Sequence, residues 1–350
     1  MTEHKIRRFS AGDVLDQRGD LADHLSGDGK ATPQSSEMFR DLITGTLAGA
    51  VNSTTIDAQL KVQRSREAFS HVPGLIWAHL KLGEVFRVSA DMTELIRHAA
   101  ALLDDTDRWS TSLLPTEAGF VRFDAPLPIL DARGNEMLIH VITWGPAELS
   151  IPNTSVNEEA TFITMWNDLD VQPDHYSREM LRDHGLMLRK IAGRWSFIGG
   201  ELITEGQRMG PALIDPSTLG SRDEEVSTPF TNNHRLIMAM CMLMDQTIVE
   251  KSAERPNVHA RRRAKERKMS QSDITVVTLR RAYRKDNGPQ SVARETNREW
   301  HHRWVVRGHW RWARVGQGRR EIRRVWVAGH VKGPEDKPLK ITKKVYDLKR

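Results

Sequence analysis

One cysteine, Cys241, stands among 350 residues. That excludes an intramolecular disulfide framework and any multi-cysteine zinc module, and it fits a reducing compartment. Its segment, HRLIMAMCMLMDQTIVE, reads as a buried helix with a packed thiol. Long apolar runs are missing too. Nothing approaches the roughly 20 residues that a bilayer requires, and the opening MTEHKIRRFSAGDVLDQRGD lacks the apolar segment of a signal peptide. The expected address is cytoplasmic, with no membrane partner.

Catalytic signatures are equally scarce. There is no Walker loop, no Gly-x-Gly-x-x-Gly after a strand, no Gly-x-Ser-x-Gly elbow and no His-Glu-x-x-His. His301, His302, His309 and His330 match no zinc spacing, so neither a metal nor a cofactor is expected. Glu335-Asp336-Lys337, with Pro173-Asp174 upstream, imitates part of a nuclease motif, but GPEDKP reads as a turn. Asp104-Asp105 and Glu158-Glu159 read as solvated carboxylates, and Gly199-Gly200 as a bulge or tight turn rather than a phosphate cradle. Sequence nominates no catalytic centre.

What is there is charge, unevenly spread. Residues 251–350 carry 29 Lys+Arg against 10 Asp+Glu, whereas the first 250 carry 23 against 36, so a net +6 hides +19 and −13. A basic segment of that density fits a polyanionic partner, and an acidic body limits nonspecific sticking. A solvated basic face is the plainer alternative.

The pattern along the chain is α+β: an N-terminal helical subdomain, a central mixed or antiparallel sheet and a basic C-terminal β-hairpin region. Residues 1–36 are polar and read as a flexible arm. Residues 37–105 read as helical, including PGLIWAHLKLGEVFRV and the Ser89-capped SADMTELIRHAAALLDD. An acidic α+β body follows over 106–250. There Phe120 to Phe123 alternates, Pro126 and Pro128 end the run, 131–135 turn, and 137–144 return as a strand. EATFITMWND and GRWSFIGGEL are further strands, with a helix between them that ends at Gly193. The basic β-rich region is 251–350. It opens on Arg261, Arg262 and Arg263 within ARRRAKERKM, read either as a helix with cations nearly all round or as a linker, and continues through the strand DITVVTLRR.

Five of the ten tryptophans lie between Trp300 and Trp326, in WVVRGHWRWARVGQGRREIRRVWVAGHVKG and just before it. Taken as one strand, 303–313 puts Trp304, Val306, Trp310 and Trp312 on one face and Arg303, Arg307, His309 and Arg311 on the other. Gly316-Gln317-Gly318 turns the chain, and REIRRVWVAGH returns as a partner in which Arg324 breaks the alternation, by a bulge or by burial on both sides. Aromatic faces stack on unpaired bases and guanidinium groups hold phosphates, a mixture that suits single-stranded nucleic acid. The competing assignment makes Trp304, Trp310, Trp312 and Trp326 structural. The nucleic-acid-binding set is then Arg303, Arg307, His309, Arg311, Arg314, Arg319, Arg320, Arg323, Arg324 and Lys332, with Arg261 to Arg263 as a second patch.

RGHWRW, followed by GQG, a basic run and RRVWVAGHVKG, resembles the C-terminal signature of the family that includes a phage-encoded type V anti-CRISPR protein. LLPTEAGFVRFDAPLPI resembles that family's Leu-Pro segment before an aromatic-rich strand. The likeness touches three islands between about 103 and 333, and the helical region before 103 departs from it. For the best-known member it implies repression of the type V nuclease through its nascent N-terminal peptide and loss of the encoding mRNA. The expectation is therefore a phage or mobile-element regulator of anti-defence type in a bacterial host cell. It would bind RNA, or DNA, through the basic region, and a protein target, a nascent or ribosome-associated chain, through the acidic body. A nuclease and a virion structural protein are the alternatives.

Overall fold

The computed structural model describes residues 6–26, 37–41, 43–44, 70–103, 106–130, 136–150, 157–172, 193–207, 231–280 and 304–332. The chain divides into two compact units, Met1–Leu279 and Arg280–Arg350. Their formal charges are opposite, with 31 Lys+Arg against 39 Asp+Glu in the first and 21 against 7 in the second.

The first unit is α+β and is built on a seven-stranded mixed sheet. Its strands are β1 (Glu84–Val88), β2 (Gly119–Leu130), β3 (Glu136–Ser150), β4 (Asn157–Asp168), β5 (Trp195–Thr204), β6 (Val249–Glu254) and β7 (Ile274–Leu279). They lie in the order β5-β4-β3-β2-β1-β7-β6. β1 is parallel to both β2 and β7, and every other pairing is antiparallel. Helices are α1 (Ala11–Ser26), α2 (Val72–Leu82), α3 (Ala90–Ala100), α4 (Thr231–Met244) and α5 (Val258–Glu266). One sheet face presents Val85, Phe120 and Val141 to a core completed by Phe9, α1, α2, Ala260 and Ala264 of α5. Residues of opposite parity, such as Phe86 and Val121, point to the other face. There α3, the crossover between the parallel strands β1 and β2, packs over β2 and β7 and against the buried helix α4.

Several elements differ from the sequence expectation. The polar arm over 1–36 holds α1, whose Val14, Leu15, Leu21, Ala22 and Leu25 are buried at helical spacing. Ser10 and Asp13 form a reciprocal cap: the Ser10 N–H donates to Asp13 Oδ2 at 3.0 Å and the Asp13 N–H to Ser10 Oγ at 3.2 Å. Within the supposedly all-helical 37–105, Gly83 stops α2 with extended backbone and EVFRV continues as the central strand β1. Ser89 does cap α3, accepting from the Met92 N–H at 3.4 Å. Pro126 and Pro128 do not end β2. The ladder shifts register between Arg122 and Leu127, and the strand runs on to Leu130. The irregularity absorbs the donor that Pro126 lacks. Residues 251–279, grouped by charge with the C-terminal region, supply most of β6 and all of α5 and β7 to the first unit, the two strands joining its sheet.

Other readings stand. The β4/β5 ladder skips Ile198 between Met165↔Gly199 and Trp166↔Phe197, a bulge immediately before Gly199-Gly200, which themselves stay paired. Cys241 is buried in α4, and burial pushes its thiol up to about 12. The helix expected before Gly193, the 131–135 turn, Asp104-Asp105, Asp174, His301, His302 and Glu335 to Lys337 lie outside the described residues. Among the described residues, no helix is long and apolar enough to cross a membrane.

Candidate nucleic-acid interface

In the second unit two short ladders organise the tryptophan and arginine segment. β8 (Trp304–Val306) pairs antiparallel with β11 (His330–Lys332), and β9 (His309–Val315) pairs antiparallel with β10 (Glu321–Val327). The single strand expected over 303–313 is broken at Arg307-Gly308, so its two halves pair with different partners. A Cβ on Gly308 would sit 2.5 Å from Trp326 Cζ2, so the break is where the backbone passes under that indole. Gly316 and Gly318, at φ 76° and 70°, carry the chain through the turn into β10 as the notation Gly-Gln-Gly anticipates.

The β9/β10 register runs without interruption from His309↔Val327 to Val315↔Glu321. Arg324 therefore causes no bulge. It lies directly opposite Trp312, and its guanidinium carbon stands 4.9 Å from that indole's centroid. The hairpin faces follow from this pairing. One carries Trp310 with Trp326, Trp312 with Arg324, and Arg314 with Ile322; the other carries His309, Arg311, Arg323 and Glu321 among smaller residues. Trp310 and Trp326 are buried and meet edge to face, with centroids 5.1 Å apart at 74°. Trp312 departs from this packed set, being 63% exposed, and its neighbour Ile322 is 60% exposed.

The predicted cations fall into distinct groups. Arg307, His309, Arg311, Arg314, Arg319 and Arg320 are exposed, and His309 Nδ1 lies 3.1 Å from the Arg307 carbonyl. Among the described residues no carboxylate is within ion-pair range of Arg307, Arg311, Arg314, Arg319 or Arg320. Arg323 pairs with Glu321 at 2.8 Å on the surface, an interaction that solvent makes weak. Arg303 lies outside the described residues, as do the side chains of Trp304 and Lys332.

Arg261, Arg262 and Arg263 sit elsewhere, in α5 of the first unit. Asn257 caps this helix by accepting from the Ala260 N–H at 2.9 Å, and Ala260 and Ala264 bury one side of it, so the cations do not run all round. Arg263 forks onto Asp16 of α1, Arg262 pairs with Glu266 at 3.3 Å, and Arg267 reaches Asp23 of α1 at 2.8 Å. Within the Arg261–Arg263 run, α1 takes up Arg263 alone, and Arg262 pairs within its own helix. A cleft of about 620 Å³ opens beside it, lined by Trp77, Lys81, Arg267 and Lys268 among others. It collects the C-terminal turns of α1, α2 and α5, with Lys81 over the Trp77 ring at 4.2 Å and Arg267 paired with Asp23.

Sequence reasoning missed a buried charge cluster in the body. Asp168 accepts from Arg122 Nη2 at 2.7 Å and from Arg194 Nε and Nη2 at 3.1 and 2.5 Å. Burial alone would raise the Asp168 carboxyl, but Arg122 and Arg194 outweigh it and hold it below its usual value. Burial lowers the Arg122 guanidinium to about 10; it remains cationic and stacks 4.2 Å from the Phe9 ring centroid. The Asp168 N–H donates to His140 Nδ1 at 3.2 Å, which places the ring hydrogen on Nε2. Burial, then Arg122, push His140 down to about 3. Arg122, His140 and Asp168 are at most 1% exposed and clasp β2, β3 and β4 together, while the Arg194 side chain is 20% exposed. Its only sequence signal is charge inside strand-like runs, an Arg in GFVRF and an Asp ending TFITMWND.

No family model matches the chain, and no curated protein matches it. Among solved structures it is similar to the crystal structure of AcrVA2, at 14% identity and a TM-score of 0.33 over 91% of this chain and 93% of that one. A superposition that loose transfers neither fold nor activity, so the functional reading rests on this chain's own residues.

Proposed function

We propose that the protein is a nucleic-acid-binding regulator that engages RNA through the β9/β10 hairpin and a protein target through its acidic first unit. The observation that carries this reading is the set of exposed hairpin arginines, Arg307, Arg311, Arg314, Arg319 and Arg320, without carboxylate partners among the described residues. A protein rarely concentrates uncompensated guanidinium groups on one small hairpin unless an external anion completes them, and a phosphate backbone is the polyanion that matches their spread. The anti-defence part of the reading rests on the Arg307 to Trp312 signature alone.

Binding driven by counterion release weakens as salt rises, by about 0.7 in the logarithmic slope for each phosphate contacted on a single strand. Anisotropy titrations of labelled RNA and DNA over a salt series measure that slope. Arg307→Glu, Arg311→Glu and Arg323→Glu together abolish binding. Salt-insensitive binding, or none to either nucleic acid, sinks the proposal.

A further inference from the structure

The register of the hairpin divides its side chains into two chemically different surfaces. The face with His309, Arg311 and Arg323 places these cations among Ala313, Val315, Val325 and Val327, with Glu321 paired to Arg323. The other face holds the buried Trp310–Trp326 pair at one end and, towards the turn, the exposed Trp312, Arg314 and Ile322 around a half-buried Arg324. Such an arrangement is costly if water is its only neighbour. An exposed indole beside an exposed isoleucine retains apolar surface that folding would ordinarily remove. The Trp310–Trp326 pair already stiffens the hairpin, so Trp312 is not required for packing there.

The geometry of Trp312 is specific. Arg324 covers one face of its indole, and a ring covered on both faces could not leave the residue 63% exposed. The opposite face is open. Arg314 lies two residues along the same strand face, and Arg319 and Arg320 follow in the adjoining turn. An open aromatic plane flanked by guanidinium groups matches an unpaired nucleotide: the base stacks on the ring while the arginines hold phosphates on either side. A duplex gains little from this patch, because its bases are already stacked and only their edges reach the grooves.

We infer that the hairpin selects single-stranded over duplex nucleic acid, with Trp312 as the stacking platform for an unpaired base. This rests on the nucleic-acid reading above and deepens it. It also separates two roles within one hairpin: arginines supply affinity that ignores sequence and strandedness, and Trp312 supplies the discrimination.

The test uses the full-length protein with one oligonucleotide sequence as single-stranded RNA, single-stranded DNA and the corresponding duplexes, titrated at fixed salt. Wild type binds single strands more tightly than duplexes. Trp312→Leu keeps an apolar side chain but loses the aromatic plane, and weakens single-strand binding about 5- to 150-fold, the range for loss of one base–aromatic stack. It leaves duplex affinity and the salt slope unchanged, and Trp312→Phe restores most of the loss. Near-UV circular dichroism of the Trp310–Trp326 pair confirms that each variant keeps the hairpin. Trp312→Leu binding single strands like wild type overturns the inference, as does an equal loss on single strands and duplexes, or a loss confined to RNA. Wild type that binds no nucleic acid overturns the underlying reading instead, an outcome distinct from all of these.

Discussion

His140 makes the body's stability depend on pH in a way that can be worked out from its surroundings. In the folded chain the ring is buried and its Nδ1 is occupied as an acceptor from the Asp168 N–H. Burial first and the Arg122 guanidinium second disfavour the charged ring and lower its pKa to about 3. In the unfolded chain the same ring titrates near 6.5. Between these values the unfolded state binds the extra proton, so folding stability is complete above about pH 6.5 and declines as the pH falls towards 3. The slope for one such group is about 1.4 kcal/mol per pH unit, or roughly 2–3 kcal/mol between pH 6.5 and 4.5. The Asp168 carboxyl, held below its usual value, loses its contribution only at lower pH and stays out of that window. His140→Asn is the informative variant, because Oδ1 of asparagine can replace Nδ1 as acceptor but does not titrate. Urea unfolding of both proteins from pH 4.5 to 7.5 should give a less stable variant at neutral pH whose disadvantage shrinks steadily with acidification. Parallel curves through the window would mean that His140 is free to protonate in the folded state, and the reasoning fails.

Asp168→Asn removes the shared counter-charge of Arg122 and Arg194, and leaving the fully buried Arg122 cation without it costs about 3–5 kcal/mol. Asp16→Asn, which frees only the exposed Arg263, costs under about 1 kcal/mol in the same denaturation assay; equal losses would contradict the burial argument. Gly308→Ala sets a methyl group against Trp326, costing about 1–3 kcal/mol if the hairpin is to accommodate it. Near-UV circular dichroism of the Trp310–Trp326 pair should weaken, and an unaltered spectrum would show that the close approach is not a constraint.

β5, which alternates between buried and half-buried residues, was readable as a strand, as were the apolar and β-branched runs of β4 and β7, and α3 announced itself through Ser89. α1 was hidden because buried polar residues interrupt its apolar stripe. Arg18 is 0% exposed and donates from Nη1 and Nη2 to the carbonyls of Gly83 and Ser270, at 3.0 and 2.6 Å. That is a tertiary solution no local pattern reveals. β1 was hidden because five residues following a helix carry too little periodicity to show a change of state. In the hairpin the period of two sorted β9 correctly, but the faces of a sheet are composed by both strands. Only the register shows that Arg324 joins Trp312, and hence that the aromatic side is neither wholly apolar nor wholly packed. The charge count alone could not separate α5 from the hairpin, since it does not see that Asp16 and Asp23 of α1 take up Arg263 and Arg267.

The position of β1 bears on how the protein is made. Its two neighbours come from residues 119–130 and 274–279, and α1 near the start of the chain packs on α5 over 258–266. A growing chain holds one side of β1 open until nearly four-fifths of it has been synthesised, and fragments ending before 274 expose that edge to other chains. The arginine-rich hairpin is therefore translated only after the body has every piece it needs to close, so a half-made protein carries the acidic surface without the basic one.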